Sequence, residues 1–95
     1  MEPHRPVVTN KARRWKSYYL FNGLVKDLQL EGLQEQHIIR VCVHVYKRIA
    51  ERKMFGNQYS IDRAWDAMNI ALLDNLKCDI KLIEATMKEM TGNSG

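Results

Sequence analysis

The chain has 95 residues, 45 % of them hydrophobic and 27 % charged, with a formal net charge of +4. That length makes one domain rather than two, and that composition is too apolar for a disordered chain. The charge is divided unevenly. Residues 1–55 hold eleven Lys and Arg against five Asp and Glu, a surplus of +6, while residues 56–95 hold four against six. A basic first half joined to a mildly acidic second half predicts two roles, one end facing an anionic partner and the other packing or pairing.

Residues 1–9 contain both prolines and no periodicity, so they read as a flexible basic arm. No run reaches the roughly 18 apolar residues of a membrane span, and Met1–Pro6 lacks the apolar core of an export signal. Thr9 or Asn10 is a suitable helix cap. A first helix is then predicted from about Lys11 to about Leu30, with Trp15, Tyr18, Tyr19, Phe21, Leu24, Val25 and Leu28 at spacings of three and four. Gly23 lies inside it. Close approach of a neighbouring helix would explain that glycine, and a break at Asn22-Gly23 is the alternative. Glu31-Gly32 ends the segment.

The second helix is predicted from about Gln34 to about Phe55. Its centre is rich in β-branched residues, and Ile39, Val41, Val43 and Val45 alternate as a strand would. Length decides for a helix. About twenty residues run without Gly or Pro, carrying one stripe of Ile38, Val41, Cys42, Val45 and Ile49 and another of Ile39, Val43, Tyr46 and Ala50. Gly56-Asn57 is the expected stop.

Ser60 is the expected cap of the next helix. Beyond it, Leu73, Leu76, Ile80, Ile83, Met87 and Met90 form a heptad pattern that predicts an interface, such as a homodimer seam or a groove for a partner's helix, with packing of the methionine stripe into the core as the alternative. Residues 61–91 fit one long helix or two with a break near Asn75–Cys78 and Asp79 as the second cap. The break is preferred, because four packed helices bury more of a small chain than three. Residues 92–95 read as a frayed tail. The predicted fold is therefore all-α, a three- or four-helix domain over residues 10–91 behind its basic arm.

Chemistry is sparse. Cys42 and Cys78 are too few for a secreted disulfide scaffold and read as reduced thiols of a cytosolic or nuclear protein. They form no CxxC, and His37 and His44 stand seven apart rather than at the four-residue spacing of a helical metal pair, so no zinc site is expected. No nucleophile elbow, phosphate loop or paired carboxylates occur, and no enzyme and no cofactor are expected.

The cations carry the functional signal. Arg5, Lys11, Arg13, Arg14 and Lys16 cluster around Trp15, Tyr18 and Tyr19, and Arg48, Arg52 and Lys53 close the second helix. Lys and Arg neutralise phosphates, and exposed rings stack on unpaired bases, which points to binding of DNA or RNA. A helix-turn-helix across residues 55–63 fits poorly, since its reading helix would turn Asp62 and Asp66 towards phosphate. The leading expectation is a non-enzymatic nucleic-acid-associated regulator, dimeric through its last segment. The alternative is a small adaptor or inhibitor, of the kind common in viruses and phages, that docks on a larger protein.

Overall fold

A computed structural model describes residues 9–52 and 58–92, and all of its regular structure is helical. A single turn, α1 (Thr9–Ala12), precedes four longer helices: α2 (Lys16–Leu30), α3 (Glu35–Arg52), α4 (Gln58–Asn75) and α5 (Ile80–Gly92). The β-branched centre of the second segment is thus helical. Ile38, Ile39, Cys42, Val43 and Ile49 are buried in α3, because a helix buries its apolar stripes against three neighbours, whereas a lone strand has no partner.

Helix α4 is the spine. Its most extensive packing is with α2, and it also meets α3, α1 and α5. Ala64, Ala67 and Ala71 are fully buried along it, spaced so that small side chains face inward and let neighbouring backbones approach. Phe21 and Val25 of α2, Met68 and Leu72 of α4 and Ile83 of α5 complete a single core.

The predicted first helix is interrupted at residues 13–15. Arg14 N and Trp15 N donate to the carbonyls of Lys11 and Ala12 at 3.0 and 2.9 Å, closing α1 as a tight turn. Trp15 then stands extended, with φ −72° and ψ 147°, ahead of α2. Tertiary contacts account for the interruption. Ala12 is buried, the Arg63 guanidinium sits 5.1 Å from the centre of the Trp15 ring, and Arg13 reaches Asp74. A continuous helix would carry these side chains to other faces. The helical start is also two residues earlier than the sequence suggests, at Thr9.

No break occurs at Asn22-Gly23, and no neighbouring helix crowds Gly23: a β-carbon built there meets nothing within 4 Å. The glycine is a conformational cost without a packing return. Gly23→Ala is expected to stabilise the domain by about 0.5–1 kcal/mol, read as a higher urea midpoint at unchanged slope. Gly32 is different. Its φ of +87° ends α2 in the left-handed region, where a side chain would be strained.

Ser60 is not the cap of α4, which begins at Gln58; the expected stop at Gly56-Asn57 lies outside the described residues. The last segment is two helices. A single helix over residues 61–91 would be about 46 Å long, longer than the largest extent of the molecule, 36 Å. Asp79 caps α5, its Oδ1 accepting from the Leu82 amide at 2.9 Å. The Glu35 carboxylate accepts from the Lys77 amide at 3.3 Å, tying the turn between α4 and α5 to the first turn of α3.

Burial also sets a pH limit. Cys42 is buried in the centre of α3, and desolvation, with a smaller contribution from Cys78, pushes its thiol from 9.0 up to about 12. A raised thiol value favours the neutral form in the folded state. Stability is therefore intact below about pH 9 and falls as pH rises towards 12. Tyr18 and Tyr46, both shifted upward chiefly by burial, act in the same direction. Equilibrium unfolding followed between neutral and alkaline pH should show this fall, and Cys42→Ala should flatten it although the truncation lowers stability at neutral pH.

Candidate nucleic-acid interface

The exposed side of α3 is the most uniformly basic helix face among the described residues. His37, Arg40, His44, Arg48, Glu51 and Arg52 are all exposed. With 3.6 residues per turn they fall within about a third of the helix circumference, and the strip runs about 22 Å along the axis. Glu51 is the single carboxylate on it. Burial of the opposite face, through Ile38, Ile39, Cys42, Val43 and Ile49, fixes this strip outward.

Two α3 cations, Arg40 on the strip and Lys47 beside it, are engaged within the molecule. Arg40 Nη1 pairs with Glu89 Oε1 at 3.0 Å, both side chains being largely solvated. Lys47 Nζ donates to the Met90 carbonyl at 3.1 Å, a cation placed at the negative end of α5. Arg48 and Arg52, both anticipated from the sequence, share the exposed strip, whereas Lys53 lies outside the described residues.

The N-terminal cluster divides. Lys11, Arg14 and Lys16 are exposed, and Arg5 lies outside the described residues. Arg13 is committed elsewhere: its Nη2 and Nε contact the two oxygens of Asp74 at 2.6 and 2.8 Å. The same carboxylate accepts from the Tyr18 hydroxyl at 2.8 Å. The guanidinium first, and the phenol next, hold Asp74 below the usual carboxylate value, and Arg13 itself is shifted upward by this partner. An acidic side chain in the last turn of α4 opposes the helix dipole, and Arg13 compensates it. One residue on, Asn75 Nδ2 donates to Asn22 Oδ1 at 2.8 Å, and Gln29 Nε2 donates to the Asn75 carbonyl at 3.1 Å. This clasp joins the end of α4 to α2 and to the turn before it.

The three N-terminal aromatics have different fates. Tyr18 is buried, and Trp15 packs on the core beneath Arg63. Tyr19 is 64 % exposed and meets the edge of Tyr18 at 6.0 Å between ring centres. Tyr19 therefore presents a ring beside Lys16, as base stacking requires. Lys11 stands on α1, Arg14 in the turn after it and Lys16 at the start of α2, whereas Arg48 and Arg52 stand on α3.

The predicted seam is also redistributed. Leu76 and Ile83 are buried in the domain's own core, and Met87 and Met90 pack against it. Ile80 is half-buried, and Leu73 is 36 % exposed. The turn at residues 76–79 breaks the heptad register, so these six positions do not form one continuous outward stripe. Leu76 and Ile83 serve the internal packing of the domain, while Leu73 stays at the surface.

Sequence reasoning missed a cleft of about 380 Å³ lined by Tyr46, Asp62, Trp65 and Met87. Its residues come from three helices and span 41 positions, and no local spacing marks them. Among the described residues no group of three or more His, Cys, Asp or Glu side chains is placed to hold a metal, and no helix is long and apolar enough to cross a membrane. Comparison of the chain with protein-family models, curated protein sequences and solved structures gives no match.

Proposed function

We propose that this chain is a non-enzymatic nucleic-acid-associated protein that holds the phosphate backbone against the exposed face of α3. The observation that carries the reading is the placement of Arg48 and Arg52, with His44 one turn before them, on a single outward strip opposite the buried face. Successive members four apart rise about 6 Å along the axis, and a helix of this width enters the major groove of a duplex. Lys11, Arg14 and Lys16 add a second cationic patch, and Tyr19 supplies a ring for an unpaired base.

The test is fluorescence anisotropy of the full chain against labelled duplex and single-stranded DNA and RNA across a salt series. Binding whose logarithm falls with log salt at a slope of several units is expected. A preference for single strands would assign weight to Tyr19. No response at micromolar protein and low salt would overturn the proposal in favour of a protein partner.

A further inference from the structure

Helix α2 buries Ser17, Tyr18, Phe21 and Val25 in the domain and leaves its opposite face to solvent. That face is unusually apolar. Tyr19, Leu20 and Leu30 are 64, 46 and 86 % exposed, so three of the five large hydrophobic side chains exposed among the described residues stand on it. At 3.6 residues per turn they fall, with Lys16, Gly23 and Asp27, within about a third of the helix circumference.

Gly23 is at the middle of this face. A glycine inside a helix weakens it, and within the domain nothing is gained in return, since a β-carbon there meets nothing within 4 Å. The missing side chain leaves an open notch between exposed apolar residues one turn away on either side. A notch of this kind lets a second helix approach closer than the usual roughly 8–10 Å between axes.

The charges select the occupant. Lys16 and Asp27 are exposed near opposite ends of the face, and neither forms an ion pair with another described residue. A polyanion would meet Asp27 and apolar side chains, and a bilayer would have to desolvate that carboxylate. A second α2 laid parallel about a two-fold axis would set Lys16 against Lys16 and Asp27 against Asp27. Laid antiparallel, it sets unlike charges together.

We propose that a second copy of this chain covers the face, the two α2 helices crossing antiparallel at Gly23 about a two-fold axis. In that register Tyr19 stands opposite the partner's Asp27. Its ring enters the notch at the partner's Gly23 and packs on the partner's Leu30. Lys16 lies within a turn of the partner's Asp27, and symmetry repeats each contact. One helix face is smaller than the roughly 800 Å² per partner of a standard interface, so the dimer is reversible, with a dissociation constant on the order of 100 µM. Pairing encloses Tyr19, and base stacking on that ring belongs to the monomer.

The experiment is sedimentation equilibrium of the full chain from about 10 µM to 1 mM, a range that brackets this constant. It contains no nucleic acid, so its outcome is separate from the proposed function. The mass should rise from one chain towards two. Gly23→Leu fills the notch without meeting the domain, and should hold the protein monomeric while its thermal melting is retained or raised. Lys16→Glu and Asp27→Lys should each weaken association about tenfold, because symmetry counts every change twice. The double variant carrying both should restore it, since the unlike pair is rebuilt with its signs exchanged. Both charge changes suit the helix dipole and leave the buried face of α2 untouched. A mass that stays at one chain up to 1 mM, a dimer that persists in Gly23→Leu, or a double variant no better than the singles would each overturn the proposal.

Discussion

Phe21→Ala should cost about 3–5 kcal/mol. The ring is fully buried on the face of α2 that meets α4, and its loss leaves a cavity lined by side chains that already interlock with their neighbours. The surrounding helices cannot close that space cheaply. The Arg13–Asp74 ion pair and the Asn75 hydrogen bonds hold one end of the α2–α4 contact at a fixed spacing. A domain of this length has about 5–14 kcal/mol of stability in total, so the variant loses a large share of it. Urea denaturation measures the effect directly. A midpoint that moves strongly at constant slope fits a cavity, and a loss below about 1 kcal/mol would show that Phe21 does not occupy the core. Phe21→Leu, which keeps most of the volume, should cost far less and serves as the control.

Replacing Arg48 and Arg52 together with Glu should lower nucleic-acid affinity on the order of a hundredfold at low salt. It should also reduce the magnitude of the log–log salt slope by about two, one for each phosphate contact removed. Both residues are exposed, and neither is needed for the buried face of α3, so the helical circular dichroism spectrum should be unchanged. The same substitutions at Lys11, Arg14 and Lys16 discriminate the two cationic regions. A larger loss there would place the main phosphate contact on the N-terminal patch rather than on α3. No loss from either set, with a protein retained by the wild type but not by the variants, would favour the adaptor reading.

The candidate interface was partly legible in the sequence. Arg48 and Arg52 were recognisable as sharing a face because a four-residue spacing has one outcome on a helix. That this face points to solvent followed only once the two apolar stripes of α3 were seen to be buried together. Arg13 shows the opposite limit. In the sequence it is one of a run of cations; in the fold it belongs to Asp74, 61 positions away, and no local pattern contains that partner. The aromatic cleft was illegible for the same reason: Tyr46 lies on an apolar stripe of one predicted helix and Met87 in the heptad pattern of another, and no local spacing joins them to Trp65.

The sequence by itself determined the fold class and the positions of most helices. Apolar residues at steps of three and four, scarce Gly and Pro, Gly32 after Leu30 and Asp79 before Ile80 act within one or two turns of the chain, and such local chemistry favours helix whatever surrounds it. The tertiary structure decided where that preference gives way. Arg63 over Trp15 and Asp74 on Arg13 interrupt a helix the periodicity would have carried through. The turn after Asn75 folds a heptad pattern back on itself, so Leu76 and Ile83 fill this domain's core instead of continuing one stripe to a partner. The physical reason is the same in each case. Local spacing sets the backbone preference, but which face is buried depends on side chains brought together from distant parts of the chain, and burial outweighs a single turn of helix propensity.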